Sequence, residues 1–181
     1  MTEVDLEKLK YPIGKLVAPE VIAEKHIQQW ISNLNGFPKA FEKLVQTLDD
    51  KQLDTPYRLN GWTVRQLVHH VPDSHTNAYI RFKWTLTEDI PLIKAYHEDR
   101  WGSLTDSVAG DIMPPIKLLY ALHERWVQLM RQMEEKDWEK SLIHPETKKV
   151  IPLKNMLALY DWHSRHHYAH IENLIKKENW A

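Results

Sequence analysis

The sequence contains no cysteine among its 181 residues, which excludes a disulfide scaffold, a zinc ribbon and a cysteine nucleophile. It has only five glycines and no long apolar run, so neither a secretory signal nor a membrane span is expected. Neither sign of charge dominates, because the net charge is −1, and nothing predicts binding to nucleic acid or to an anionic membrane. These features predict a single cytoplasmic domain over residues 1–181.

Two residue types are abundant against this background, with eleven histidines and eight tryptophans. Tryptophan is mostly a packing residue, so most of the eight are interpreted as core or as pocket wall. Histidine is the commonest metal ligand and a frequent proton shuttle. The histidines are therefore the candidate functional residues.

Four long helical patterns, separated by proline-marked connections, cover about residues 20–48, 63–88, 115–133 and 153–177. The first is predicted to break near Asn35–Pro38. The second should begin with a capping box of Thr63 and Gln66 and kink at Pro72. A short extended piece at Lys149–Ile151 is weakly indicated, and nothing predicts a sheet. The sequence therefore predicts an all-α protein, a four-helix bundle with long connections.

The last helix carries four histidines on one face. With His163 at zero and about 100° per residue, His167 lies at about +40°, His166 at about −60° and His170 at about −20°. Apolar residues of the same helix share this face, so the imidazoles should point into the bundle. A buried polar group without a partner costs about 1–3 kcal/mol. A shared metal ion would satisfy several imidazoles at once.

The spacing of these histidines supports a metal site. His163 and His167 form one H-x₃-H pair, and His166 and His170 form another. Residues four apart in a helix lie on one face and can bind the same ion. The alternative is a set of histidines that hydrogen-bond to one another and to water.

A third ligand must come from another helix, and the second helix offers Val68-His69-His70-Val71 and His75. Helical periodicity favours His75, but a kink at Pro72 would change the phase between His70 and His75. His123 of the third helix also faces inward and is interpreted as a hydrogen-bonded core residue. The remaining candidates look like surface or loop residues: His26, His97 and His144.

Four segments of the chain carry a further signal. They read Leu53-Asp-Thr-Pro-Tyr-Arg58, Gly61-Trp-Thr-Val-Arg-Gln-Leu-Val-His-His70 with Asp73-Ser-His75, and Trp162-His-Ser-Arg-His-His-Tyr-Ala-His170. In these segments the chain resembles the DinB-like superfamily and, within it, the YfiT-type metal-dependent hydrolases of bacilli. The likeness covers nearly the whole chain.

The resemblance implies a four-helix bundle, often a homodimer, in which one divalent metal ion is held by three histidines. The corresponding residues are His70, His163 and His167. The resemblance thus chooses His70 over His75, and it leaves His75, His166 and His170 to support the ligands or line the pocket. Zinc is the expected metal and nickel the alternative. Imidazole sites follow metal availability as well as affinity, so the residues alone do not choose among zinc, nickel, manganese and iron.

Three protein ligands leave a coordination position for water or substrate. The ion can lower the pKa of a bound water to about 7, as hydrolysis requires, or hold a substrate thiol as thiolate. The superfamily includes transferases that use low-molecular-weight thiols, so the resemblance implies a bacillithiol S-transferase, with bacillithiol as co-substrate, as well as a metal-dependent hydrolase. The missing H-E-x-x-H motif removes an obvious general base and favours thiol transfer.

The catalytic residues are less well defined than the ligands. Asp73 and Asp161 flank the ligands and are candidate bases. Arg58, Arg81 and Arg165 are candidates to bind carboxylates of a thiol cofactor, although a surface charge is an equal interpretation of each. A third hypothesis is a non-catalytic metal-binding bundle, which a closed site with His75 or His123 as fourth ligand would favour.

Overall fold

The structure is a computed structural model that describes residues 3–180, with side chains from residue 7 onward. Residues 1, 2 and 181 of the predicted domain lie outside the described residues. The helices and strands are α1 (Glu3–Lys10), α2 (Glu24–Val45), α3 (Asp50–Leu53), α4 (Val64–Thr87), α5 (Glu98–Trp101), α6 (Thr105–Ala109), α7 (Met113–Arg131), α8 (Glu135–Trp138), β1 (Ser141–Ile143), β2 (Val150–Pro152) and α9 (Leu153–Glu178).

Four long helices, α2, α4, α7 and α9, form the body of the molecule. Helix α2 packs against α7 and α9, and α4 packs against the same two partners. Around the bundle the order is therefore α2, α7, α4, α9. The predicted four-helix bundle is confirmed. None of the helices within residues 3–180 has the length and apolarity that crossing a membrane requires.

A small antiparallel hairpin departs from the predicted absence of a sheet. Strands β1 and β2 pair Ser141 with Pro152 and Ile143 with Val150, and β2 leads directly into α9. The extended piece weakly indicated near Val150 is half of this hairpin. Strands of three residues are too short for alternation of apolar and polar side chains to identify them.

Helix α2 does not break where the sequence predicts a break. It runs without interruption through Asn35, Gly36 and Pro38, and Pro38 is buried. A proline inside a helix has no N–H to donate to the carbonyl four residues earlier, which here is that of Leu34. Packing of an amphipathic helix can outweigh this loss, since burial of its apolar face supplies most of its stability.

Helix α4 begins as the sequence predicts. The Thr63 hydroxyl accepts a hydrogen bond from the Gln66 amide N–H at 3.2 Å, and the Gln66 side-chain oxygen accepts from the Thr63 N–H at 2.9 Å. This reciprocal pair satisfies two of the N–H groups that a helix start leaves free. The helix continues through Pro72, so both His70 and His75 lie on one uninterrupted element.

The apolar core consists of two clusters, one at each end of the bundle. One is centred on Phe82 and Trp126, and the other on Phe41 and Leu67. Along α4, α7 and α9 inward-facing histidines lie between the residues of the two clusters. The bundle therefore holds a polar layer of imidazoles in the middle of its core.

Candidate metal centre

Helices α4 and α9 bring three imidazoles together. His163 and His167 lie one turn apart on α9, and His70 faces them from α4. The Nε2 atom of His163 is 3.3 Å from Nε2 of His70 and 3.1 Å from Nε2 of His167. One nitrogen of each ring lies within 4.8 Å of the other two.

The spacing of these nitrogens fits a small divalent ion. Zinc binds imidazole nitrogen at about 2.0–2.1 Å in tetrahedral geometry, which places neighbouring ligand nitrogens about 3.3 Å apart. The two contacts made by His163 are close to that separation. Three such donors leave one tetrahedral position free, an arrangement typical of catalytic rather than structural zinc sites.

Burial keeps these three imidazoles neutral. It lowers the pKa of His70 to about 4, with a smaller effect of charge on His166. Burial likewise lowers the pKa values of His163 and His167 well below the usual histidine range. A neutral imidazole has a lone pair on one ring nitrogen, so near pH 7 each ring can act as a metal ligand.

Two hydroxyl groups also approach the three imidazoles. The Tyr96 hydroxyl is 3.3 Å from Nδ1 of His70, and burial raises the pKa of Tyr96, so this hydroxyl keeps its proton. The Ser74 hydroxyl is 3.4 Å from Nε2 of His163. By contrast, Nδ1 of His167 is buried and has no hydrogen-bond partner among the described residues.

His75 and His123 lie behind the three imidazoles and form a line of hydrogen bonds. Nε2 of His75 is 3.1 Å from Nδ1 of His163, and Nδ1 of His75 is 2.7 Å from Nε2 of His123. Nδ1 of His123 is 2.6 Å from the Leu34 carbonyl oxygen. Neither residue faces the converging Nε2 atoms, so His75 and His123 do not form the closed site that would favour a non-catalytic bundle.

The second H-x₃-H pair of α9 forms its own contact. Nε2 of His166 lies 3.1 Å from Nε2 of His170, and the ring of Trp162 stacks on His166 at 4.5 Å. Burial lowers the pKa of His166 to about 4 and that of His170 to about 3. The structure thus separates the four histidines of α9 into two pairs, of which only one meets His70.

A pocket of about 450 Å³ opens beside the converging nitrogens. Its aromatic wall includes Trp62, whose ring lies 4.6 Å from that of His70. The other lining residues come from several elements: Arg58, Asn60, Gly61, Ser74, Tyr96, Glu98, Asp99, Leu159, Tyr160, Trp162, His163, His166 and His167. This volume suits a small-molecule substrate.

Sequence patterns missed part of this pocket. Ser74 lies between recognised histidines, but a single helical serine carries no specific signal. Tyr96, Glu98 and Asp99 lie in the connection between α4 and α7, where apolar periodicity is absent. Their position in the pocket depends on how this connection folds over α4, which no local pattern encodes.

The two candidate bases, Asp73 and Asp161, lie outside the pocket beside the three imidazoles. The buried Asp161 carboxylate accepts from Arg165 at 2.7 Å and from Asn33 at 2.6 Å, and it lines a different cavity. Asp73 shares a separate pocket with Asp106, and burial, followed by the Asp106 charge, raises its pKa to about 6. Neither carboxylate lines the pocket beside the three imidazoles.

The three candidate arginines lie in different surroundings, and only one of them lines the pocket. Arg165 is paired with Asp161 outside the pocket, and Arg81 donates to the Lys94 carbonyl at 3.2 Å. Arg58 alone lines the pocket, where its buried Nε has no hydrogen-bond partner among the described residues. Of the three, Arg58 is positioned to meet an anionic group in the pocket.

Comparison with protein-family models matches residues 34–171 to the DinB superfamily. "Putative metal-dependent hydrolase YfiT" of Bacillus subtilis is 45% identical over 181 residues, covering 100% of both chains. A "Putative metal-dependent hydrolase" of Bacillus cereus is 48% identical over 176 residues, covering 97% of this chain and 100% of the relative. These relatives match along their whole length.

Two solved structures resemble the fold. YfiT from Bacillus subtilis, described as a probable metal-dependent hydrolase with an unusual four-helix bundle topology, superposes with a TM-score of 0.94 at 45% identity and covers 96% of this chain and 99% of that one. The mycothiol-dependent maleylpyruvate isomerase gives a TM-score of 0.54 at 17% identity, covering 82% of this chain and 60% of its own. The second likeness concerns the fold alone.

Proposed function

Since this chain belongs to the DinB superfamily, we propose that it is a divalent-metal-dependent enzyme acting on a small molecule, and that its reaction is S-transfer from a low-molecular-weight thiol of the bacillithiol type. The observation that carries the proposal is the convergence of three neutral imidazole Nε2 atoms beside an open pocket. Both the ligand number and the adjoining space suit catalysis rather than a structural role.

His70, His163 and His167 would hold the ion through their Nε2 atoms. A bound divalent ion supplies a Lewis acid that lowers the pKa of a thiol or a water coordinated to it. On the pocket side, the Trp62 ring lies 4.6 Å from that of His70 and the Tyr96 hydroxyl lies 3.3 Å from its Nδ1, so both residues contact one of the proposed ligands directly.

Arg58 would bind an anionic group of the substrate. Its guanidinium lines the pocket, and none of the side chains described in residues 7–180 forms an ion pair with it. A planar guanidinium matches carboxylate and phosphate geometry. A thiol that carries a carboxylate would therefore be held at one end by Arg58 while its sulfur reaches the three imidazoles.

Thiol transfer fits the carboxylates of this pocket better than hydrolysis does. Hydrolysis usually requires a base held beside the attacking water, and Asp73 and Asp161 lie outside the pocket. The pocket carboxylates, Glu98 and Asp99, are exposed. They can pass the thiol proton to solvent, after which the sulfur bonds to the electrophilic carbon and the leaving group departs with its electron pair.

The reaction can be tested by parallel assays of the protein stripped with chelator and reloaded with Zn²⁺ or Ni²⁺. We expect conjugation of bacillithiol to a generic electrophile such as monochlorobimane to be faster with metal-loaded protein than with metal-free protein or with His163→Ala incubated with the same metal. The matched control is His144→Ala, which removes a histidine outside the pocket. Equal rates with and without metal would refute the transferase.

Hydrolysis is the second candidate, because relatives that are 45% and 48% identical carry the name putative metal-dependent hydrolase. The same loaded protein should then cleave nitrophenyl esters or amides without added thiol. Metal binding without either activity would favour the non-catalytic bundle.

The proposed role of Arg58 has its own test. Arg58→Gln should raise KM for a carboxylate-bearing thiol by about tenfold, because a charge-assisted hydrogen bond contributes about 1.5–3 kcal/mol. The change in kcat should be smaller. Arg165→Gln is the matched control, since that arginine is paired outside the pocket. An equal KM for wild type and Arg58→Gln would exclude this role.

A further inference from the structure

The Leu34 carbonyl of α2 lacks its normal helical partner. The residue four positions later is Pro38, which has no N–H to donate. Such a carbonyl must find another donor when it is buried. Nδ1 of His123, on α7, lies 2.6 Å away and takes this place. Because a carbonyl oxygen only accepts, Nδ1 of His123 must carry the proton.

This one assignment determines the tautomers of two further histidines. A neutral His123 with its proton on Nδ1 can only accept at Nε2, so Nδ1 of His75, at 2.7 Å, must donate to it. His75 then accepts at Nε2 from Nδ1 of His163, at 3.1 Å. Burial lowers the pKa of His123 to about 4 and that of His75 well below its usual range, so both rings stay neutral.

We infer that His75 and His123 are positioning residues that act through His163: anchored by the Leu34 carbonyl, they hold the proton of His163 on Nδ1 and leave the Nε2 lone pair for the metal. If these hydrogen bonds ran in the opposite direction, an unprotonated Nδ1 of His123 would face the Leu34 carbonyl oxygen. His163 would then present an Nε2–H to the other ligands and could not bind the ion.

The surroundings of this line keep water away from it. His75 and His123 are almost fully buried, at 0% and 2% exposure. The ring of Phe37 lies 6.0 Å from His75 and 5.8 Å from His123, and Trp126 meets both rings edge-on. Among the residues that the structure describes, the two rings form hydrogen bonds only to each other, to His163 and to the Leu34 carbonyl, and none of these contacts could reverse the direction of the line.

Among the three ligands, His163 is the one whose second nitrogen is constrained in this way. Nδ1 of His70 faces the Tyr96 hydroxyl, which can donate or accept and so does not fix a tautomer. Nδ1 of His167 has no partner among the described residues. A metal ligand's outer hydrogen bond typically contributes 10–100-fold in metal affinity. Disrupting the line should therefore weaken binding through His163 alone.

Two substitutions of His123 separate positioning from simple packing. In His123→Gln, the amide N–H can donate to the Leu34 oxygen and the amide oxygen can accept from His75, so the direction is kept. His123→Leu fills similar space but has neither group. On full-length protein, competition with a chromophoric chelator should show a 10–100-fold lower Zn²⁺ affinity for His123→Leu. His123→Gln should bind Zn²⁺ nearly as wild type does.

The tautomers themselves can be read by long-range proton–nitrogen NMR of ¹⁵N-histidine-labelled, metal-free protein. Wild type should carry the proton on Nδ1 in all three rings, His123, His75 and His163. In His123→Leu, His163 should populate both tautomers. A purely structural role of His123 would lower the stability of both variants and leave the His163 tautomer unchanged.

The wild-type spectrum decides the inference even if His123→Leu fails to fold. An Nε2-protonated His163 in wild type, or unchanged Zn²⁺ affinity in a folded His123→Leu, would overturn it. The inference rests on the proposed metal site but not on the proposed reaction. Loss of the site would appear as absent Zn²⁺ binding in wild type, whereas failure of the positioning role would appear in the tautomers.

Discussion

At the scale of single residues, the α9 ligands can be tested without knowing the substrate. His163→Ala or His167→Ala removes one of three converging Nε2 donors. We expect stoichiometric metal binding, about one ion per chain, to be lost in either variant, since two imidazoles cannot hold the ion against chelator. Elemental analysis after desalting measures this directly.

The control for these variants is His144→Ala, which alters a histidine in the β1–β2 connection. It should bind as much metal as wild type. Full retention of metal by both α9 variants would contradict the ligand assignment.

Residue patterns predicted the α9 part of the site better than the α4 part. Helical spacing placed the histidines of α9 on one inward face, because all of them lie on one continuous helix. It left two H-x₃-H pairs open, and the family resemblance chose His163 and His167. The choice between His70 and His75 did not follow from spacing, since both residues face inward. They differ in which nitrogen of His163 they approach, Nε2 for His70 and Nδ1 for His75. The line through His123 to Leu34 joins four helices, so its contacts depend on tertiary packing that spacing within one helix does not encode.

At the scale of elements, the capping box at the start of α4 should stabilise the fold. Thr63→Ala removes the hydroxyl that accepts from the Gln66 N–H and should lower the free energy of unfolding by about 1 kcal/mol. Thr63→Ser keeps the hydroxyl and is the matched control. Urea denaturation followed by circular dichroism gives both values, and equal midpoints for alanine and wild type would rule out a stabilising cap.

The long helices were predictable because each has an amphipathic pattern over several turns. Helix α2 was predicted to break near Asn35–Pro38, and that prediction was wrong. The local rule for proline omits the donor that α7 supplies to Leu34. The hairpin and the short helices α5 and α6 were missed because three to five residues are too few to show a period. The kink at Pro72 stays a prediction.

At the scale of the whole molecule, the buried histidines should make the metal-free protein sensitive to acid. The folded-state pKa of His123 is about 4, below its usual 6.5. Between these values the unfolded chain binds more protons, so stability is fully present above about pH 6.5 and falls as the pH drops towards 4. At pH 5 the loss from His123 alone is on the order of 2 kcal/mol.

Other titratable groups also change the stability that is lost between pH 7 and pH 5. The lowered pKa values of the remaining core histidines add to the loss, whereas the raised pKa of Asp73 opposes it. Urea titrations of metal-free protein at pH 7 and pH 5 should therefore show a lower midpoint at pH 5, and a smaller drop for His123→Gln. An unchanged midpoint would indicate that these histidines are already protonated when folded.

Homodimerisation and a cytoplasmic location stay predictions at this scale. The first can be decided by sedimentation of the full chain, with and without metal.

The hydrogen bond between α2 and α7 also bears on the order of folding. The interior of α2 cannot complete its own bonding at Pro38, and the missing donor arrives only when α7 docks. We expect this contact to form after the rate-limiting step. His123→Leu should then accelerate unfolding while leaving refolding nearly unchanged, a φ-value near zero in stopped-flow measurements. The lifetime of the folded protein, rather than its folding rate, would then depend on the hydrogen bond from His123 to the Leu34 carbonyl, which Pro38 leaves without a donor inside α2.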